Sequence, residues 1–488
     1  MIRYFMVWMS AGVMIPVALC AQDTAHSRQW RAENGLHPGA FITNSQTAPS
    51  YTLEDRMRQH KVNGASIAVI DEGRIVWAKG YGVADAGLPG QRVDTMTLFQ
   101  CASIGKVITS LAVLHLVREG KIGLDEPVND KLTSWKIPEN DKTAIKKVTL
   151  RTLLSHTAGL GDEYGFEGYA PHAVLPGLQQ MLNSEPPANT TQRLVIKTIP
   201  GTVEKYSGGG FLIIQQLVED ISGASFSSFA DSVIFQPLSM RRTTYAYYPD
   251  EMGSPVARGH DEKGKTDKKR KYHVYPEMAA AGPWTTAADL ARLVLAMQRE
   301  YQGLSRVVAD SALMREMFTP QINTTGLGIH LKGSAGVAAF WHSGNNAGYT
   351  GLLFGLLSGK GAVVLTNSDD GASFAMEGIR SIADAYDWPV MQTRYIKETT
   401  DKLYEAFTGR YAKGSTQAAI GKNSAGLFLN PGSDKEFTLY QEQDGSFLIK
   451  EKPDHLRMVF DQTGDGETLL HVFQDCGRVM VTLSKIKQ

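Results

Sequence analysis

The stretch "CASIGKVITS", residues 101–110, puts a serine three residues before a lysine at the start of a long apolar segment. The apolar residues keep the i, i+3, i+4, i+7 spacing of a helix with a buried face: Ile104, Val107, Ile108 and Leu111. Gly120 ends this helix. Lys106 falls in its first turn, where the positive end of the helix dipole disfavours a cation. Either the lysine faces solvent, or its position has a chemical use.

Ser103 and Lys106 lie on one face of the predicted helix, because positions i and i+3 are neighbours on a helix surface. Free lysine is too basic to accept a proton at neutral pH, but burial beside a positive helix end favours the neutral amine. The same helix start offers N–H groups to an oxyanion. The spacing therefore predicts that Lys106 activates Ser103 as a nucleophile. The alternative is an unreactive, solvent-facing pair on an amphipathic helix.

A second Ser-x-x-Lys match, Ser484 and Lys487, lies in a segment that alternates like a strand. On a strand this spacing sends the two side chains to opposite faces. Only the first pair is able to cooperate.

The composition is that of an ordinary soluble globular protein, with 42% hydrophobic and 20% charged residues. Lys+Arg and Asp+Glu both number 50, so no excess of positive charge favours nucleic acid or anionic lipid as a partner. The length of 488 residues predicts two to three domains.

Residues 1–21 have the pattern of a secretory signal peptide, with Arg3 as their only charge and small residues near their end. An uncleaved membrane anchor is one alternative, and lipid attachment at Cys20 is another, although Leu19 fits a lipoprotein signal poorly. We expect a protein that is exported to the periplasm or secreted, with no membrane span once the signal is removed. A polar leader, residues 22–50, follows.

Two cysteines remain after the signal segment, Cys101 and Cys476. Two buried thiols are expected, and a disulfide between them is the alternative in an oxidising compartment. Nothing in the sequence around Cys101 supplies a partner for a nucleophilic thiol, which assigns this residue to packing.

The remaining segments predict an α+β fold. Residues 66–85 read as a hairpin that turns at 71–73, a helical middle follows, and strands return at 338–367. This order predicts one sheet with strands from both ends of the segment and a helical lobe between them. From about residue 400, short strand-like runs alternate with turn residues, which indicates a small all-β domain over 400–488.

Two further stretches contain candidate functional residues. "EKYSGGGFLIIQQLVEDISG", residues 204–223, sets Tyr206 just before a helix. "FWHSGNNAGYTGLLF", residues 340–354, sets His342 on or beside a strand. Taken singly, each is also typical of a capped core tyrosine and of a hydrogen-bonded histidine at a strand edge.

In this order the three stretches resemble the serine β-lactamase and penicillin-binding protein superfamily. The resemblance is closest to the class C β-lactamase-related hydrolases, which include D-aminopeptidases, carboxypeptidases and esterases. Three connecting phrases fit it as well: "GKIGLDEPV" at 120–128, "LLSHTAGL" at 153–160 and "AAAGPWTTAADLARL" at 279–293. The resemblance implies a hydrolase domain over 51–395, in which helices flank an antiparallel sheet of the β-lactamase/transpeptidase type. It implies no metal and no cofactor.

Carried over residue by residue, the resemblance implies that Ser103 is the acylated nucleophile and that Lys106 accepts its proton. Tyr206 would pass that proton to the leaving group and later activate the deacylating water.

The Lys-Thr-Gly stretch of the family is matched by His342, Ser343 and Gly344, which would bind substrate. His342 would stand where a lysine usually provides positive charge. The backbone N–H groups of Ser103 and Asn345 would form the oxyanion hole.

One position departs from the family. The asparagine two residues after the tyrosine is here Gly208, and together with His342 this makes efficient β-lactam hydrolysis less favourable. The sequence thus favours an exported serine hydrolase that cleaves an ester or amide bond in a small-molecule or peptide-like substrate. The alternatives are a class C-type β-lactamase or D,D-peptidase, and a non-catalytic sensor that recognises penicillin.

Overall fold

The structure is a computed structural model. It describes residues 27–38, 41–43, 50–160, 166–190, 193–266, 271–332, 339–397, 405–424, 426–432, 435–442, 445–449, 456–464, 466–474 and 479–486. The predicted signal peptide, Cys20, Cys476 and Lys487 lie outside these ranges. In the ranges given, no helix has the length and apolar character needed to cross a membrane.

Most of the helices lie in the middle of the chain, between residues 105 and 317. They are α1 (27–34), α2 (Leu53–Gln59), α3 (Gly105–Arg118), α4 (Asp141–Ile145), α5 (Leu150–Leu154), α6 (Leu178–Asn183), α7 (Gly208–Ser222), α8 (Phe226–Ala230), α9 (Met278–Ala281), α10 (Ala287–Tyr301), α11 (Ser311–Met317) and α12 (Gly371–Ala385).

The strands fall into an early group and a late group. They are β1 (Phe41–Thr43), β2 (Gly64–Asp71), β3 (Arg74–Gly82), β4 (Phe99–Gln100), β5 (Trp284–Thr285), β6 (His330–Lys332), β7 (Ala339–Asn346), β8 (Tyr349–Leu356), β9 (Lys360–Thr366), β10 (Arg394–Lys397), β11 (Gly409–Lys413), β12 (Thr416–Asn423), β13 (Gly426–Asn430), β14 (Phe437–Glu442), β15 (Phe447–Ile449), β16 (Leu456–Gln462), β17 (Thr468–Gln474) and β18 (Val479–Lys485).

The main sheet is antiparallel, six-stranded and ordered β3-β2-β9-β8-β7-β6. The N-terminal hairpin therefore joins the later strands through the β2–β9 pair, which starts at Ala65 and Thr366. This confirms the predicted α+β fold, in which one sheet draws strands from both ends and the helical lobe lies between them. The turn at Glu72 and Gly73 has positive φ at both residues, as a tight hairpin requires.

Both faces of this sheet are covered by helices. Along β9, Val363 and Leu365 face the core that contains α3 and α10, while Ala362 and Val364 face the core that contains α12. Successive strand residues point to opposite faces. Burial of both faces explains why these strands are almost continuously apolar in sequence.

Part of the stretch assigned to the leader packs on the sheet domain. Ala32 of α1 and the following Leu36 are buried in the same core as Phe374 of α12. The Ser381 hydroxyl donates to the Ala32 carbonyl at 2.8 Å, and an Arg31 N–H donates to the Ala385 carbonyl at 3.2 Å. Residues 27–36 are therefore integrated with the hydrolase fold.

The C-terminal strands β11–β18 form a closed antiparallel barrel, because β14 pairs with β15 as well as with β13. This confirms the small all-β domain. Its interior is filled mainly by aliphatic side chains such as Ile420 and Leu439, together with Phe447. The partly buried Phe460 packs against this core, 5.3 Å from Phe447 between ring centroids. Strand β10 extends the barrel at β14, and β1 pairs with β10 in parallel.

Candidate active site

Ser103 lies in a single 3-10 turn, Ala102–Ile104, that runs directly into α3. Ala102 has φ +50°, a left-handed conformation that is unfavourable for a residue with a side chain. Ala102 and Ile104 are buried, whereas Ser103 is half-buried. The turn thus projects one hydroxyl out of a buried backbone. The first N–H groups of such a turn have no intrahelical acceptor.

Lys106 does not face solvent, since only 1% of its surface is exposed. Its Nζ lies 3.0 Å from Ser103 Oγ and donates to the Ala280 carbonyl at 2.7 Å. The same Nζ is 5.1 Å from the ring centroid of Tyr206 and 5.6 Å from that of Phe211. Within the described ranges, no carboxylate forms an ion pair with Lys106. Lys106 is therefore in contact with Ser103 and is shielded from solvent.

Tyr206 enters the site from the segment that precedes α7. The helix is capped by Ser207, whose hydroxyl accepts from the Gly210 N–H at 2.9 Å. Tyr206 keeps 39% of its surface exposed, and its ring lies over Lys106. The structure thus brings Ser103, Lys106 and Tyr206 into one cluster.

Strand β7 passes against the backbone that leads into Ser103. A Cβ at Gly344 would lie 2.1 Å from the Cys101 carbonyl oxygen and 3.2 Å from Ala102 Cβ, so only glycine fits here. Edge strand β6 pairs with 339–341 of β7 and stops there. The free end of β7, including exposed Asn345, therefore lies beside the nucleophile turn.

The comparison with known proteins agrees with this geometry. The profile of the Beta-lactamase family matches residues 51–387. The chain belongs to the beta-lactamase family. It is a serine hydrolase related to β-lactamases.

Similar proteins in this family carry several names. Penicillin-binding protein 4 of Amycolatopsis lactamdurans is 28% identical over 352 residues, which cover 66% of this chain and 86% of that protein. Esterase EstB of Burkholderia gladioli is 28% identical over 310 residues, which cover 57% of this chain and 77% of the esterase.

Solved structures share the fold. The octameric penicillin-binding protein homologue from Pyrococcus abyssi superposes with a TM-score of 0.58 at 21% identity, over 89% of this chain and 98% of that one. The D-amino acid amidase from Ochrobactrum anthropi SV3, in complex with D-phenylalanine, has a TM-score of 0.56 at 21% identity, over 69% of this chain and 97% of the amidase.

His342 of this beta-lactamase-family hydrolase is not suited to supply the positive charge that the resemblance implied. Burial first, then His330 and Lys106, lower the pKa of His342 well below its ordinary value. Its Nδ1–H donates to the Ser343 carbonyl at 2.7 Å. Burial is thus the main reason why the imidazole of His342 is neutral, and its neighbours His330 and Lys106 act in the same direction.

Gly208 leaves the hydrolase without a side-chain amide at the start of α7. The second acceptor for Lys106 is instead the Ala280 carbonyl of α9. This short helix also forms hydrogen bonds with β7 and α7. The Ala281 carbonyl accepts from Asn346 Nδ2 of β7 at 3.2 Å, and the Ala279 N–H donates to Gln215 of α7 at 3.1 Å. Helix α9 thus links Lys106 to the end of β7.

Cys101 is a buried free thiol. Burial raises the pKa of Cys101 to about 12, which keeps the thiol protonated and unreactive at neutral pH.

His156 is a residue near the site that the sequence reasoning did not assign to it. It is 5% exposed, and its ring lies 4.4 Å from that of Tyr206 between centroids. Burial, followed by the charges of Lys106 and His330, lowers the pKa of His156 to about 3. The sequence signal that contains it is the phrase "LLSHTAGL", residues 153–160.

Proposed function

We propose that this protein is an exported serine hydrolase that cleaves an ester or amide bond through an acyl-enzyme on Ser103. The observation that carries the proposal is the 3.0 Å contact between Lys106 Nζ and Ser103 Oγ at a lysine removed from water. Export is supported by the signal pattern of residues 1–21.

In the first half of the reaction, the Ser103 hydroxyl proton passes to Lys106 Nζ while Oγ bonds to the substrate carbonyl carbon. The carbonyl electrons move onto oxygen, and the N–H groups of Ser103 and Asn345 stabilise that oxyanion. The C=O bond then re-forms and the bond to the leaving group breaks. Tyr206 relays the proton from Lys106 to the leaving group.

In the second half, Tyr206 takes a proton from water as its own phenol proton passes to Lys106 Nζ, and the resulting hydroxide attacks the acyl carbon. The second tetrahedral intermediate then collapses, the bond to Ser103 Oγ breaks, the carboxylic acid is released, and Lys106 returns the proton to Ser103. The exposure of Tyr206 supports this role, because its phenol is open to solvent while its ring lies over Lys106.

The substrate class follows from two residues. Neutral His342 and the missing amide at Gly208 disfavour recognition of a β-lactam carboxylate and amide, whereas the nucleophile and base are retained. Similarity to an esterase and to a D-amino acid amidase supports ester or amide cleavage. The second candidate is a β-lactamase or D,D-peptidase, which similarity to penicillin-binding proteins favours.

The test is the intact mass of the protein after exposure to a fluorophosphonate and, separately, to benzylpenicillin. We expect one fluorophosphonate adduct on Ser103, absent in Ser103→Ala and retained in Ser484→Ala. The latter is a matched control from the other Ser-x-x-Lys sequence, on β18.

A folded protein that forms no adduct would contradict the proposed hydrolase and favour the non-catalytic sensor. A lasting penicillin adduct on Ser103 would move the assignment to the penicillin-recognising candidate.

A further inference from the structure

The phenol of Tyr206 has no hydrogen-bond partner in the part of the chain that the structure describes, so its position depends on its backbone. The two residues that flank Tyr206 in the sequence, Lys205 and Ser207, both bond to one residue. The Lys205 N–H donates to the His156 carbonyl at 2.8 Å, and the Ser207 N–H donates to His156 Nδ1 at 3.1 Å. With the ring contact at 4.4 Å, His156 holds the tyrosine segment at three points.

His156 is itself held firmly. It follows α5 in the left-handed conformation, with φ +57°, and its N–H donates to the Leu153 carbonyl at 3.2 Å. The hydroxyls of its two neighbours, Ser155 and Thr157, lie 2.9 Å apart and are buried. Its ring also contacts Phe211 of α7 at 5.5 Å between centroids.

The contact with Ser207 requires a particular form of the imidazole. Because a backbone N–H donates to Nδ1, that nitrogen must keep its lone pair, and the ring proton lies on Nε2. The pKa of about 3 keeps His156 neutral, so this acceptor persists throughout the neutral range.

We infer that His156 is a positioning residue that holds Tyr206 over Lys106 for proton transfer. This inference rests on the proposed function. His156 acts through Tyr206, since its described hydrogen bonds go to the tyrosine segment and to its own loop rather than to Ser103 or Lys106.

The decisive comparison is between His156→Asn and His156→Gly. Both variants remove the ring, and both tolerate the left-handed backbone. Asparagine Oδ1 occupies nearly the same place as histidine Nδ1 and still accepts from the Ser207 N–H, whereas glycine offers no acceptor. The pair therefore isolates the hydrogen bond.

The assay uses burst and steady-state hydrolysis of p-nitrophenyl butyrate. Its leaving group departs as an anion that is stable near neutral pH, so acylation does not depend on the Tyr206 proton but deacylation does. In His156→Gly we expect kcat to fall about 10- to 100-fold, the effect of misplacing a catalytic group by about 1 Å, with kcat/KM little changed. His156→Asn should recover a substantial part of kcat.

A second cycle separates positioning from general stability. We call the contacts of His156 with Lys205, Ser207 and the ring of residue 206 the His156 clamp. In a Tyr206→Phe background this clamp has no phenol to position, so His156→Gly should lower kcat by less than about threefold. Melting temperatures of all variants are measured alongside.

An equal loss of kcat in both backgrounds, or equal kcat in the Asn and Gly variants, would overturn the inference. Wild-type protein that hydrolyses no p-nitrophenyl butyrate and forms no fluorophosphonate adduct on Ser103 would instead contradict the proposed function itself, and the two failures are thereby distinguished.

Discussion

Lys106 and Tyr206 lie within 5.1 Å of each other, measured from Nζ to the ring centroid, yet the protein holds them in different ways. Lys106 belongs to α3, a helix buried on nearly all sides, and is fixed by Ser103 and α9. Tyr206 belongs to an exposed segment and is fixed through its backbone by His156.

The difference has an energetic consequence. Residues on the lysine side contribute to the core, so changing them affects the free energy of unfolding as well as the chemistry. Residues on the tyrosine side contribute few core contacts, so changing them affects mainly the rate. The four predictions below test this contrast, from the largest expected effect on catalysis to the smallest.

Replacing Lys106 by methionine should abolish acylation, with a loss of at least about 10³-fold in the rate of fluorophosphonate adduct formation. Methionine keeps much of the volume but leaves the Ala280 carbonyl without its donor, so the melting temperature should fall. Exposed Lys121→Met is the matched control and should react at the wild-type rate. Retention of acylation within about tenfold in Lys106→Met would remove the lysine from the mechanism.

Tyr206→Phe should lower kcat for an amide substrate by about 10²-fold, because the proton relay is lost while the ring remains. The melting temperature should change by less than about 2 °C, because an exposed hydroxyl contributes little to stability. Tyr301→Phe, on α10, controls for loss of a phenol elsewhere. A large drop in melting temperature for Tyr206→Phe would break the contrast with Lys106.

Gly344→Ala should reduce acylation about tenfold, because the new methyl group meets the Cys101 carbonyl and pushes β7 away from Ser103. Gly90 has open space around its Cβ position, so Gly90→Ala should leave the acylation rate unchanged. Wild-type acylation in Gly344→Ala would show that the nucleophile turn adapts to a displaced strand.

Glu277, at the start of α9, should make the free energy of unfolding depend on pH. Of the four residues, it should have the smallest effect on the rate of hydrolysis. It is fully buried, its carboxylate oxygens have no hydrogen-bond partner among the residues that the structure describes, and burial raises its pKa to about 7. The pKa of Glu277 in the folded protein exceeds its ordinary value of 4.5. The contribution of this carboxyl to the free energy of unfolding is therefore fully present below about pH 4.5 and is lost as the pH rises through about 7. The loss is on the order of 3 kcal/mol.

Urea unfolding of Glu277→Gln between pH 5 and 8 checks this, since the variant should lack that pH-dependent loss. Exposed Glu139→Gln should keep the wild-type slope. Equal slopes for wild type and Glu277→Gln would mean that the carboxyl finds a partner in solution.

The sequence predicts the lysine side better than the tyrosine side, for a physical reason. Ser103 and Lys106 are three residues apart on one helix, so local periodicity places them together. The apolar strands likewise predict the main sheet.

The His156 clamp and the neutrality of His342 depend on residues from distant segments, such as Lys205 and His330, which no local pattern connects. For the same reason the sequence indicates the small β domain but not its closure through β14 and β15, nor the pairing of β1 with β10.

The pairing of Ala65 with Thr366 makes the sheet a structure of high contact order. During synthesis, roughly 300 residues must be added after the N-terminal hairpin before its partner strand emerges. At 5–20 residues per second this takes roughly 15–60 s. Throughout that interval the β2 edge is an unpaired strand, which is prone to aggregate. A chain that stops before β9 therefore cannot complete the sheet that positions the nucleophile, and a truncated product should be inactive and dependent on chaperones.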